Sequence, residues 1–160
     1  MKPYSILFVC TGNICRSPTA EGVMLKKVGE RGWSDLLVID SAGTHGYHVD
    51  APPDDRSQRH AARRGYDLSG LRARRVLQDD FTRFDAILAM DQENLEFLAA
   101  MCPPTHRGKL ELMMRHAPRH RTEIVPDPYY GGPDGFDEVL DYIEDACEGL
   151  LAALAARLQK

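Results

Sequence analysis

The chain has 160 residues, 28% of them charged and 43% hydrophobic, with a formal net charge of −4. This is the make-up of one globular domain large enough to bury roughly two thirds of its unfolded surface, and the acidic balance argues against a general nucleic-acid binder. No apolar run approaches the roughly 20 residues of a membrane span, the N-terminus lacks a signal-peptide pattern, and the cysteines at 10, 15, 102 and 147 form no Cys-x-x-Cys pair, so a cytoplasmic protein of one domain, residues 1–160, is expected.

In chain order, Ser5 to Val9 is a short apolar run ending at a glycine-containing turn, as a buried strand should be. Ser17 followed by Pro18 predicts an N-cap with proline at the first helical position, and the helix runs from Pro18 to Arg31, with Gly32 just beyond it. Leu36 to Ile39 is a second strand, flanked by Asp35 and by Asp40-Ser41. Thr44 to Asp55 carries Gly46, Pro52, Pro53 and three aspartates. It reads as a loop, and long loops in compact domains are commonly functional.

Asp55 to Arg64 predicts a short helix stopped by Gly65, whereas Ser69 to Val76 is strongly basic, and Arg72, Arg74 and Arg75 read as a solvated helix face. Ala86 to Ala89 is a third strand. Asp91 then caps a helix bearing Leu95, Leu98 and Met101. A fourth strand falls within Lys109 to Met113, and His116 to Thr122 is a polar connection. The last helix is the clearest, because Phe136, Val139, Leu140, Ile143, Ala146, Cys147, Leu150, Leu151, Leu154 and Leu158 recur at spacings of three and four. Strands alternating with helices imply a three-layer α/β fold, with a four-stranded parallel sheet flanked by helices and a ligand site at the carboxyl ends of its strands.

The chemistry concentrates in Cys10-Thr11-Gly12-Asn13-Ile14-Cys15-Arg16-Ser17-Pro18. A loop that runs from a strand into a helix N-terminus meets unpaired N–H donors and a partial positive charge, which suits phosphate. The same terminus and a nearby arginine favour a thiolate, so Cys10 is a candidate nucleophile. A thiolate repels a phosphate dianion by about 4 kcal/mol per pair of unit charges at 4 Å and an effective dielectric near 20. Arg16 and the amides of Thr11, Gly12, Asn13, Ile14 and Cys15 are there to offset this, and a guanidinium can hold two phosphate oxygens at once. Ser17 is placed to donate to the thiolate, and Asn13 is suited to a left-handed turn. Cys15 either packs or captures an oxidised Cys10 as a disulfide. The six histidines show no metal-ligand spacing and read as surface residues; neither metal nor cofactor is expected.

Cys10, five intervening residues, then Arg16-Ser17 is the signature of cysteine-dependent phosphatases, and with Asp127-Pro128-Tyr129-Tyr130 the chain resembles the low-molecular-weight protein tyrosine phosphatases. The likeness extends through Asp40-Ser41-Ala42-Gly43-Thr44 and Met90-Asp91 with Asn94. It implies a flavodoxin-like, phosphotyrosine phosphatase I-like fold and hydrolysis of phosphotyrosine monoesters through a cysteinyl-phosphate. It further implies that Asp127 is the general acid and that Tyr47, Tyr129 and Tyr130, with Ile14, line a slot for the substrate ring. The implied partner is a phosphotyrosine-containing protein; in bacterial members it is often a tyrosine kinase of exopolysaccharide assembly.

Many members carry a histidine in the stretch matching Gly65 to Arg72, where it supports the phosphate loop through asparagine; this chain has Leu71 there. Arsenate reductases of the same fold, protein arginine phosphatases and a non-catalytic phosphopeptide-binding module are the competing readings. The first add a downstream cysteine pair. The second carry a smaller polar residue in place of Ile14 and lack the paired tyrosines. The third has no use for a thiolate and a carboxylate at an anion site.

Overall fold

A computed structural model describes residues 2–129, 131–132 and 134–158. Its elements are β1 (Tyr4–Cys10), α1 (Arg16–Glu30), β2 (Leu37–Gly43), α2 (Asp55–Arg63), α3 (Asp80–Arg83), β3 (Ala86–Ala89), α4 (Gln92–Met101), β4 (Leu110–Leu112) and α5 (Asp134–Leu158). The four strands form one sheet in the order β2-β1-β3-β4, and every pairing is parallel.

Burial on both faces explains why β1 is apolar at consecutive positions. Ile6 and Phe8 face a core built with α1 and α5. Leu7 and Val9 face a second core with Phe81 of α3 and Leu98 of α4. Three layers result, as the alternation of elements predicted. After β2 the chain crosses back over β1 to lay down β3. The carboxyl end of β1 is therefore the switch point where open α/β sheets bind ligands, and Cys10 is its last residue.

Three local expectations are corrected. Helix α1 begins at Arg16, two residues early, and Ser17 makes no capping bond; its hydroxyl is drawn to Cys10 and Asn13 instead. Strand β2 runs on through Asp40-Ser41-Ala42-Gly43, because it pairs with β1 over its whole length, from Tyr4↔Leu37 to Cys10↔Gly43. The segment with Arg72, Arg74 and Arg75 is no helix. It lies extended along the sheet, with Gly43 N–H donating to Arg74 C=O at 2.8 Å and Val76 N–H to Gly43 C=O at 2.9 Å. Helix α5 sits hard against the chain at residue 116: any side chain at Gly149 would collide with the His116 carbonyl.

Candidate active site

Residues 11–15 join β1 to α1, and their shape is held from behind. Asn13 lies in the left-handed region at φ 58°. Its amide donates to Ser17 Oγ at 2.7 Å and to Ser41 Oγ at 3.0 Å, while its carbonyl oxygen accepts from the Arg74 backbone N–H at 3.0 Å. Ser41 Oγ in turn donates to Glu21 Oε1 at 2.6 Å. Arg74 is fixed in turn by Asp40, at 3.1–3.2 Å, and by both oxygens of the fully buried Asp80, at 3.0–3.1 Å. Leu71 leaves the loop supported all the same, because a backbone amide three residues further on bonds the asparagine.

In front of this frame, Cys10 Sγ lies 3.0 Å from Ser17 Oγ. Ser17 already accepts from Asn13, so its hydroxyl hydrogen is available to a thiolate; the alternative acceptor, the Ala42 carbonyl, is farther off at 3.4 Å. Helix α1 has no side-chain cap and no acidic residue in its first turn, which leaves its positive end to an anion.

Arg16 is only 3% exposed and strongly oriented. One terminal nitrogen donates to Asp91 at 2.6 Å and to the Val125 carbonyl at 3.1 Å. The other approaches Thr11 Oγ1 at 3.4 Å and the Asp127 carboxylate at 3.6 Å. Asp91 also caps α4, as predicted, by accepting from Asn94 N–H at 2.8 Å, and the Asn94 amide reaches Thr11 Oγ1 at 3.1 Å. Burial opposes the charge on Arg16, but Cys10, Asp91 and Asp127 outweigh it and push its pKa up.

Cys10, Thr11, Gly12, Ile14, Cys15, Arg16, Tyr47, His48, Asp127 and Tyr129 line one cavity of about 170 Å³. Asn13 and Ser17 are buried behind it. Tyr47 is 71% exposed and belongs to the rim, where it stacks on His45 with centroids 5.1 Å apart. Tyr130 lies outside the described residues. Cys15 is buried, and that burial, against a bond from Ser57 that acts the other way, pushes its pKa up to about 12. It is a neutral thiol at pH 7.

Residues 5–160 match the family model described as low molecular weight phosphotyrosine protein phosphatase. The chain belongs to that family. A low molecular weight protein-tyrosine-phosphatase from Streptomyces coelicolor is 42% identical, covering 98% of this chain and 96% of its own length. The human low molecular weight phosphotyrosine protein phosphatase is 40% identical, covering 92% of this chain and 93% of its own. A crystal structure of a protein tyrosine phosphatase from Entamoeba histolytica, with Hepes in its active site, superposes with a TM-score of 0.93 at 42% identity, covering 96% of this chain and 97% of that one. YfkJ from Bacillus subtilis gives 0.92 at 36% identity, with 98% of each chain covered.

From sequence, His48 passed as a surface residue, yet it stands on the cavity wall over Gly12. Four of the other five histidines also have side-chain partners. His60 is buried and bonded to Asp137 at 3.0 Å, His45 to Thr44 at 2.8 Å, His116 to Glu111 at 2.6 Å and His120 to Asp145 at 2.7 Å. Glu21, Ser41 and the anchoring role of Asp91 were also missed. A carboxylate within a helix or beside a strand end carries no local sign that it braces a loop.

Burial raises the Glu21 pKa from its ordinary 4.5 to about 7, against the Ser41 bond that lowers it. A carboxyl whose folded pKa is raised costs stability as pH climbs from about 4.5 to about 7, up to roughly 3 kcal/mol. Glu21→Gln removes that loss. Urea unfolding at pH 5 and pH 8 should show the variant gaining on the wild type at the higher pH; an unchanged difference between the two proteins at both pH values contradicts the assignment.

Proposed function

We propose that this phosphatase hydrolyses phosphotyrosine with Cys10 as nucleophile, Arg16 as phosphate clamp and Asp127 as general acid. The observation that carries the reading is the convergence of these three side chains on one cavity with apolar and aromatic walls. Cys10 attacks phosphorus in line while Arg16 and the amides of the loop hold the equatorial oxygens, where charge accumulates. Asp127, protonated, delivers its proton to the departing phenolate, and as a carboxylate it then activates the water that cleaves the cysteinyl-phosphate. Ser17, donating to the sulfur, makes Cys10 a better leaving group in that second step.

Ile14 and Tyr129 favour an aromatic ester over phosphoarginine. Cys102 and Cys147 are buried in the two cores on opposite sides of the sheet, which does not suit an electron relay to arsenate. Candidate substrates are tyrosine-phosphorylated proteins, bacterial tyrosine kinases among them. All four cysteines are free, as a reducing cytoplasm would keep them. Among the described residues, no helix is long and apolar enough to cross a membrane.

Cys10→Ser should abolish turnover of a phosphotyrosine peptide while calorimetry still detects phosphate binding. Asp127→Ala should slow turnover by roughly 10²- to 10⁴-fold. Turnover by Cys10→Ser at the wild-type rate refutes the mechanism.

Cys15 is the last residue of the nucleophile's loop and shares its cavity, and on this reading, once peroxide has oxidised Cys10 to the sulfenic acid, it condenses with it, releasing water and forming a disulfide that thiols reverse. Mild peroxide followed by dithiothreitol should restore wild-type activity but not that of Cys15→Ser. Equal recovery in both excludes the disulfide.

A further inference from the structure

Asp127 and Tyr129 stand on a stretch that no strand or helix holds. Its start is tied to the end of β3 by Val125 N–H, which donates to the Met90 carbonyl at 2.7 Å. Further along, a side chain from another part of the sequence reaches it. Arg56, in the first turn of α2, donates to the Tyr129 carbonyl at 3.0 Å. Its guanidinium lies 5.4 Å from the Tyr129 ring centroid and 4.8 Å from that of Phe136.

The same guanidinium is held by Asp54, which accepts from Nε and from a terminal nitrogen at 3.1 Å each. Asp54 also caps α2, accepting from the Arg56 and Ser57 N–H groups at 2.8 and 3.4 Å. Its own N–H donates to the carbonyl of Ile14, in the phosphate loop, at 2.8 Å. Burial works against the Asp54 charge, but the Arg56 fork and the capping amides outweigh it and hold the carboxyl below its usual range. The pair is ionised at neutral pH.

We propose that Arg56 is a positioning residue for the general acid, linking the Asp127 stretch to the phosphate loop through Asp54. The proposal rests on Asp127 being the acid. The link is direct: Ile14 to Asp54, Asp54 to Arg56, Arg56 to Tyr129, and Tyr129 N–H to the Asp127 carboxylate at 3.0 Å. Tyr129 is thereby gripped at both its backbone groups, by Arg56 at the carbonyl and by Asp127 at the amide. The geometry requires a planar fork that bonds a carboxylate, reaches a carbonyl and lies against two rings, which the point charge of lysine cannot do.

With its side chain 37% exposed, the Arg56–Asp54 pair contributes little to global stability. Its effect falls on catalysis, where a displacement of about 1 Å is enough to lose two orders of magnitude.

The test uses Arg56→Met, which keeps the length of the side chain and removes the fork. Asp127→Ala and the double variant are measured beside it, with p-nitrophenyl phosphate, whose leaving group needs little protonation, and with phenyl phosphate, whose leaving group needs it. Arg56→Met should lower kcat/KM for phenyl phosphate by roughly tenfold or more and that for the nitrophenyl ester by less than about threefold. Inhibition by inorganic phosphate should be unchanged, and Arg56→Met should add no further loss to Asp127→Ala. Equal losses on both esters, weakened phosphate inhibition or an unchanged kcat/KM would each overturn the proposal while leaving Asp127 as the acid. If Asp127→Ala itself shows no leaving-group dependence, the acid assignment fails, and the role of Arg56 falls with it.

Discussion

A tight loop between a buried strand and a helix can present its backbone to a ligand only if something fixes its middle, and here that something is Asn13. Its left-handed backbone is a conformation that few residues with a Cβ adopt and asparagine tolerates, and all its side-chain polar atoms are engaged in holding it. Two serines accept from its amide, and a backbone N–H from a distant segment donates to its carbonyl oxygen. Every element that supplies those partners is therefore part of the site. Strand β2 brings Ser41, α1 brings Ser17 and Glu21, and the extended segment at Arg74 is clamped by Asp40 and Asp80 so that one amide points the right way.

Charge balance is the second constraint. A buried arginine without partners is costly, yet an arginine fully engaged by carboxylates has nothing left for phosphate. Arg16 resolves this by division: one terminal nitrogen is committed to Asp91 and Val125, whereas the other lies near Thr11 and Asp127 at longer distances, on the cavity side. Asp127, about half exposed, is the more distant of the two acidic partners, and on the proposed mechanism it gives way when a phosphoryl group arrives. The orienting bond and the bond proposed for phosphate thus fall on different nitrogens of one guanidinium.

What was legible in the sequence is what is local. The proposed nucleophile, clamp and thiolate donor occupy a single eight-residue string, and their offsets follow from one strand end meeting one helix start. Helix α5 announced itself by periodicity, and Asp91 by its capping position. What could not be read depends on partners far along the chain. Asp40 and Ser41 are polar, and so look like the end of a strand until Arg74, Asn13 and Glu21 are seen to use them. Arg74 looks like a solvated charge because nothing near it in sequence shows that Asp80 is fully buried. Ser17-Pro18 mimics a helix cap, but the hydroxyl is taken by Cys10 and Asn13 from the loop behind it. His48 enters the cavity wall because the loop carrying it folds over Gly12, a contact that spans 36 residues.

The central claim is that the sulfur of Cys10 takes the phosphoryl group before water does. Rapid acid quench during turnover of an activated aryl phosphate, followed by peptide mass spectrometry, observes this directly. The account predicts a transient phosphorylated peptide carrying the modification on Cys10, formed as fast as the first equivalent of phenol is released. A phosphoryl group on any other residue, or a phenol burst with no phosphorylated peptide, would contradict it.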